Sequence, residues 1–307
     1  MSTQRGQMRT ALGTTPESAP QGSLGPLLVA MRPRQWVKNV IVLAAPVMSG
    51  QLDNRHVISS GAVAFIAFCL AASAIYLIND TLDIESDQAH PRKRSRPIAA
   101  GLVSVRTALL TSVGLIVAAL LVALLADPVL CLVIAIYVAV FIAYSVTLKH
   151  EPVLDLVIVA SAFLLRAVAG GVAADIPLSE WFLLTAAFGS LFMVAGKRYG
   201  EIRTATDPGS TRRSLISYTP AYLRFVWSTS AAVLMMTYGL WAFQMREIHG
   251  SPWAVISMAP FVIAVLRYAV DIDAGNGDAP EEIALNDRVL QLLAVCWLTT
   301  ALLAVYV

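Results

Sequence analysis

The chain has 307 residues, of which 57% are hydrophobic and only 14% are charged. A soluble domain carries about a quarter charged residues, so this composition excludes an ordinary soluble protein and predicts a polytopic membrane protein. The net charge of +2 gives no reason to expect a nucleic-acid partner.

The N-terminal segment 1–23 is rich in Gly, Ser, Thr, Pro and Gln and lacks an apolar stretch, which predicts a disordered cytoplasmic tail. The remainder, 24–307, is predicted to form a single transmembrane domain. Its apolar runs are long enough to span or nearly span a bilayer and predict an all-α bundle of about nine helices. The approximate bounds are 36–50, 57–78, 107–126, 128–147, 153–173, 179–196, 222–243, 252–270 and 289–307.

Basic residues are concentrated on one side of this predicted topology. Of the 22 lysines and arginines, 19 fall on that side, Arg55 and Arg246 fall on the other, and Arg166 lies within the fifth helix. Because cytoplasmic loops carry an excess of Lys and Arg, we expect a multi-pass protein of the cell inner membrane with its N-terminus in the cytoplasm and its C-terminus outside.

The end of the second predicted helix carries an acidic stripe within "YLINDTLDIESD" (76–87). If the helix continues through position 87, a rotation of about 100° per residue places Glu85 on the opposite side from the other polar residues. Carboxylates on one face repel one another unless a cation lies between them, and oxygen donors without His or Cys favour Mg²⁺ shared with substrate phosphates. The predicted face holds Tyr76, Asn79, Asp80, Asp83 and Asp87, and the predicted metal ligands are Asn79, Asp80, Asp83 and Asp87.

The next segment, "HPRKRSRPIAAG" (90–101), places four basic residues within positions 92–96. Such a run alone is typical of a cytoplasmic loop. Directly beside a set of metal ligands it favours phosphate binding, because fixed cations and Mg²⁺ bind phosphates together.

These segments resemble a known family. "NDTLDIESD" matches the NDxxDxxxD pattern of the UbiA-type intramembrane prenyltransferase superfamily. "RPRQWVKN" (32–39), "RPIAAG" (96–101), "LLRAVAGG" (164–171) and "GKRYGE" (196–201) are similar to its decaprenyl-phosphate phosphoribosyltransferase branch. The likeness runs from about residue 30 to the C-terminus and implies a UbiA-like bundle with an active site at the cytoplasmic face.

The resemblance implies a Mg²⁺-dependent glycosyltransferase. Its donor would be 5-phosphoribosyl 1-diphosphate, its acceptor a polyprenyl (decaprenyl) phosphate lipid, and its product a precursor of cell-wall arabinan, hence of arabinogalactan. The segment "YSVTLKHEPVLD" (144–155) departs from the second acidic motif of the family. Fewer carboxylates and more cations there favour a sugar phosphate donor over an isoprenoid diphosphate.

Roles follow for individual residues. Asp83 and Asp87 are predicted to be catalytic through the metal, and Asp155 by easing positive charge on the ribose. Arg166 lies eleven residues after Asp155 and about 20° from it in rotation, so either a salt bridge to Asp155 or a phosphate contact would explain it. The predicted substrate-binding residues are Lys38, Tyr76, Lys93, Arg94, Tyr144, Lys149, Arg166, Lys197 and Arg198.

Two other functions are compatible with parts of this pattern. A prenyltransferase using a prenyl diphosphate would also need the acidic stripe. An anion or lipid transporter would fit the many helices, but transporters more often place their sites near the membrane midplane, whereas these charges gather at one face. Assembly into a homo-oligomer is left open by the sequence.

Overall fold

The computed structural model describes residues 24–91, 93–204, 215, 217–277 and 280–307, and these residues include helices and no strand. The predicted tail, 1–23, lies outside the described residues. The all-α expectation is confirmed for the described part. The helices are α1 (Leu24–Ala30), α2 (Ala44–Met48), α3 (Arg55–Leu82), α4 (Ile84–Ala89), α5 (Val105–Ala126), α6 (Pro128–Val146), α7 (Leu154–Ala173), α8 (Glu180–Thr204), α9 (Pro220–His249), α10 (Trp253–Ile256), α11 (Met258–Ala274), α12 (Pro280–Asn286) and α13 (Arg288–Tyr306), with 3₁₀ segments at Pro33–Leu43, Lys93–Ser95 and Leu148–His150.

Six helices in the described part of the chain are long and apolar enough to cross a membrane: α3, α5, α6, α7, the combined α10–α11 stretch Trp253–Ala274, and α13. The other three predicted spans coincide with helical structure that falls outside this set. They correspond to the Pro33–Leu43 segment continued by α2, to α8 and to α9. The structure therefore supports a multi-span bundle without fixing the count at nine.

Polar side chains mark the starts of several helices. Asn54 accepts a hydrogen bond from the His56 amide at the start of α3, and Asp127 accepts from the amides of Val129 and Leu130 at the start of α6. Pro128 occupies the first position of α6, where its missing amide costs no hydrogen bond. Such caps satisfy amide groups that have no partner within the helix.

Buried apolar residues form two large clusters that meet at α7. One joins α3, α5, α6, α7 and the 3₁₀ segment Pro33–Leu43. The other joins α7, α8, α9 and α11. The 3₁₀ segment lies very close to α7 at Gly170, where an added Cβ would stand only 1.7 Å from the carbonyl oxygen of Val42. Near its N-terminal end, α7 contributes Leu156 and Ala160 to one cluster and Ile158 and Ala162 to the other, so it lies between the two halves of the bundle.

The second predicted helix does not run unbroken through position 87. α3 ends at Leu82, Asp83 adopts φ −100° and ψ 11°, and α4 begins at Ile84. The break is slight, because the Asp83 and Asp87 amides still bond to the carbonyls four residues earlier. The side chains still point as the helical rotation predicts, because Asp80 and Asp87 are buried and Glu85 is exposed.

Candidate active site

Asp80 is held by an arginine from the start of the 3₁₀ segment. Nη2 of Arg32 lies 2.6 Å and 2.8 Å from the two carboxylate oxygens of Asp80, and the guanidinium lies 4.9 Å from the centroid of the Tyr76 ring. Arg32 itself has φ 56° and ψ 58°, an uncommon left-handed conformation for a residue with a side chain. This backbone geometry and the contact to Asp80 together fix the arginine beside the acidic stripe.

A second arginine joins Asp80 to Asp87. Nη1 of Arg96 lies 3.1 Å from Oδ1 of Asp80 and 2.6 Å from Oδ2 of Asp87. The two carboxylates therefore approach one nitrogen atom from either side of the helix break. A cavity of about 290 Å³ opens here, lined by Val29, Ala30, Arg32, Asp80, Ser95, Arg96 and Pro97.

Asp83 connects the acidic stripe to the segment before α7. One of its oxygens accepts a hydrogen bond of 3.0 Å from the side-chain amide of Asn79, and the other bonds to the ammonium group of Lys149. The Asp83 side chain is a quarter exposed, whereas that of Asp80 is 3% exposed. Asp83 is therefore the more accessible of these two carboxylates.

Asp155, at the start of α7, is completely buried and fully hydrogen-bonded. Its Oδ1 accepts from the hydroxyl of Tyr144 at 2.6 Å and from Nη2 of Arg198 at 3.0 Å, while its Oδ2 accepts from Nε of Arg198 at 2.8 Å. Arg198 also donates to Glu201 at 2.8 Å. Three predicted site residues, Tyr144, Asp155 and Arg198, thus form one group that joins α6, α7 and α8.

A strained turn precedes Asp155. Val153 has φ 68° and ψ −49°, and its amide donates a hydrogen bond of 2.6 Å to the hydroxyl of Tyr218. Burial raises the pKa of the Tyr218 phenol, so its hydroxyl keeps its proton at neutral pH. The segment before α9 therefore contacts the start of α7 directly.

Of the two alternatives for Arg166, the salt bridge to Asp155 is wrong, and the phosphate contact stays a prediction. Nε of Arg166 donates to Oδ1 of Asn39 at 2.7 Å and its Nη1 to the carbonyl of Ala162 at 2.7 Å. Both Asp155 and Arg166 are buried, as their rotation predicts, but eleven residues of helix separate them by about 16 Å along the axis. Arg198 binds Asp155 instead.

The remaining predicted site residues are located here by the segments that carry them. Lys38 is in the Pro33–Leu43 segment, Lys93 and Arg94 are in Lys93–Ser95, and Lys197 precedes Arg198 in α8. Sequence reasoning missed the roles of Arg32 and Arg96. Both precede a proline within the quoted segments "RPRQWVKN" and "RPIAAG", and this shared Arg-Pro pattern was the signal that could have found them.

The donor set of the acidic stripe suits a hard divalent cation. Asn79 and Asp83 already touch, and amide and carboxylate oxygens are the ligands that Mg²⁺ prefers. Within the described ranges, no group of three or more His, Cys, Asp or Glu residues lies close enough to hold one ion. Basic side chains contact the carboxylates instead, so binding a metal would require Lys149 or Arg96 to move.

The family comparison covers most of the chain. The model of the UbiA prenyltransferase family matches residues 40–305. A decaprenyl-phosphate phosphoribosyltransferase of Mycolicibacterium smegmatis is 52% identical over 300 residues, which cover 94% of each chain. A protein of the same name from Corynebacterium glutamicum is 50% identical over 288 residues, which cover 92% of this chain and 87% of the relative.

Solved structures show the same fold at low sequence identity. A UbiA homologue of Archaeoglobus fulgidus bound to DMAPP and Mg²⁺ superposes with a TM-score of 0.70 at 16% identity, covering 92% of this chain and 99% of the other. The same homologue bound to GPP and Mg²⁺ gives a TM-score of 0.69 at the same identity and coverage.

Proposed function

Because the chain belongs to the UbiA prenyltransferase family, we propose that it transfers the 5-phosphoribosyl group of 5-phosphoribosyl 1-diphosphate to a polyprenyl phosphate and releases pyrophosphate. The acceptor would be decaprenyl phosphate, and the product would serve the synthesis of cell-wall arabinan. Relatives that are 50–52% identical over nearly their whole length carry the name of this activity.

The observation that carries the proposal is the interlocking of acidic and basic side chains at one end of the bundle. Asp80, Asp83 and Asp87 are bound by Arg32, Arg96 and Lys149, which come from three separate segments. A polyanionic donor needs both a metal held by carboxylates and free cations for its phosphates. The same side chains can supply both once a metal takes the carboxylates.

Asn79, Asp83 and Asp87 would hold Mg²⁺, which supplies charge neutralisation for the departing pyrophosphate. We assign Asp80 a different role from the metal ligand predicted by its position in the motif. Both of its oxygens bind Arg32 and one also binds Arg96, so it holds two arginines ready for phosphate. Lys149 and Arg96 would pass from carboxylates to donor phosphates when the donor binds.

The reaction is a substitution at the anomeric carbon of the donor. A phosphate oxygen of the acceptor forms a bond to C1 as the bond from C1 to the diphosphate oxygen breaks, and pyrophosphate leaves with the electron pair. The acceptor phosphate is already an anion at neutral pH, so no general base is required. The buried Asp155 would act through Tyr144 and Arg198, which it holds at the site.

The protein would lie in the cell inner membrane with this site at the cytoplasmic face, where the soluble donor is available. The 19 basic residues on the predicted cytoplasmic side support that orientation, with the N-terminus inside and the C-terminus outside.

Separate assays with two labelled donors test the choice of donor. Purified full-length protein with Mg²⁺ and decaprenyl phosphate would receive either ribose-labelled 5-phosphoribosyl 1-diphosphate or a labelled prenyl diphosphate. We expect a labelled transfer product only from the first donor. Product from the prenyl diphosphate alone would favour the alternative, a prenyltransferase.

A further inference from the structure

The peptide of Val153 is the most strained backbone position beside the site. Its φ of 68° and ψ of −49° place a β-branched residue in the region that favours glycine, and the Leu154 amide closes a γ-turn of 2.8 Å onto the carbonyl of Pro152. The Val153 side chain is 48% exposed, so its own packing offers little to offset this strain. Some other contact must stabilise the turn.

The hydroxyl of Tyr218 provides that contact. It accepts the Val153 amide at 2.6 Å, and the Tyr218 side chain is buried. The ring stacks on Tyr222 with centroids 5.7 Å apart and planes only 4° from parallel, and the cap Thr219 fixes the first turn of α9 between them. The acceptor thus comes from the segment just before α9 and is packed against the first turn of that helix.

The turn lies immediately before the buried carboxylate. Asp155 follows Val153 by two residues, and its amide bonds to the carbonyl of Glu151 across the same turn at 3.1 Å. A shift of the turn would therefore move Asp155 relative to Arg198 and Tyr144, which come from other helices. Displacements of about 1 Å at a reacting centre are costly to rate.

We propose that the Tyr218 hydroxyl is a positioning group that fixes the Val153 turn and so places Asp155, Tyr144 and Arg198 for the transfer reaction. Through it, the segment that leads into α9 sets the geometry at the start of α7. This inference rests on the proposed function of the site, in which Asp155 holds its two partners.

The test removes one oxygen atom. Tyr218→Phe should lower kcat about tenfold, the usual effect of losing one buried hydrogen bond, and leave KM for the donor within about twofold. Tyr222→Phe is the matched control, because it makes the same chemical change on the ring stacked against Tyr218, and it should turn over like the parent protein. Parental kcat in Tyr218→Phe would overturn the proposal.

Combining Tyr218→Phe with Val153→Gly distinguishes a positioning role of the Tyr218 hydroxyl from direct contact with substrate. Glycine adopts positive φ without strain, so in the Val153→Gly background the turn no longer needs the hydroxyl. Adding Tyr218→Phe there should change kcat by less than about twofold, and an equal loss in both backgrounds would contradict the proposal. If Tyr218→Phe alone does not fold, the double variant should fold and turn over; failure of both to fold would also overturn it.

Amide hydrogen exchange gives a readout that needs no substrate. In Tyr218→Phe the amides of residues 153–157 should exchange at least about tenfold faster than in the parent, with α9 unchanged. If the parent protein makes no phosphoribosyl lipid, but exchange at residues 153–157 is still faster in Tyr218→Phe than in the parent, the proposed function fails and the turn contact is confirmed. Unchanged exchange at 153–157 would refute the contact itself.

Discussion

Arg198 donates two hydrogen bonds to Asp155, from Nε to Oδ2 at 2.8 Å and from Nη2 to Oδ1 at 3.0 Å. The two residues are 43 positions apart in the sequence. The pair joins α8 to α7 at the place where the two apolar clusters meet. Tyr144 adds α6 to the same carboxylate. Asp155 therefore connects helices that belong to the two halves of the bundle.

Removing that carboxylate charge should destabilise the fold. Asp155→Asn leaves the buried Arg198 without its bidentate partner, and we expect the free energy of unfolding to fall by about 3 kcal/mol. Thermal unfolding in detergent measures this. Glu201→Gln is the control, because it touches the same arginine from a side chain that is a quarter exposed, and it should change the melting temperature much less. Equal melting of the two variants would contradict the anchoring role.

Asp83 and Asp80 should differ in metal binding. We expect Asp83→Asn to weaken Mn²⁺ binding at least about tenfold, because it removes a charged ligand, and Asp80→Asn to change it less than threefold. Asp80→Asn should instead raise KM for the donor, because Arg32 and Arg96 lose the carboxylate that holds them. Electron paramagnetic resonance of Mn²⁺ provides the affinities. Equal losses in the two variants would return Asp80 to the metal ligands.

Lys149 should matter for donor binding more than for folding. Its ammonium group contacts Asp83 from the Leu148–His150 segment, so Lys149→Met removes a charge from the proposed binding site of the donor diphosphate. We expect KM for the donor to rise about tenfold with an unchanged melting temperature. Arg106→Met, which removes an exposed charge at the start of α5, is the control and should leave KM unchanged. A parental KM in Lys149→Met would exclude the phosphate contact.

Arg166 offers a choice between a structural role and a substrate contact. Its bonds to Asn39 and Ala162 and its place over the rings of Phe68 and Tyr137 predict that Arg166→Met lowers the free energy of unfolding by about 2 kcal/mol. The half-exposed Arg267 should tolerate the same substitution. If Arg166→Met melts normally but raises KM for either substrate, the phosphate contact is the correct role.

Rotation along a helix was enough to predict which side chains face inward. Glu85 is exposed while Asp80 and Asp87 are buried, and Asp155 and Arg166 both lie inside the bundle. These outcomes depend only on a local repeat of about 3.6 residues, which the sequence displays directly. The acidic stripe is therefore predictable from the sequence alone.

Partners across helices could not be predicted in the same way. Rotation gives a direction and says nothing about which neighbour lies at a given depth. The salt bridge from Arg166 to Asp155, one of two alternatives for Arg166, is therefore wrong, and Asp155 pairs with Arg198. The contact of Arg32 with Asp80 is not predictable from the sequence, because it depends on a left-handed backbone and joins residues 48 positions apart. The Tyr218 contact with Val153 depends on strain that no residue pattern displays.

The most direct test of the central claim counts both products of one reaction. Full-length protein in lipid nanodiscs would receive Mg²⁺, decaprenyl phosphate and 5-phosphoribosyl 1-diphosphate labelled in the ribose and, separately, in the β-phosphate. We predict that ribose label enters the lipid and β-phosphate label leaves as pyrophosphate in equal amounts, and that Asp83→Asn forms neither. Release of pyrophosphate without labelled lipid, or full activity in Asp83→Asn, would contradict the account.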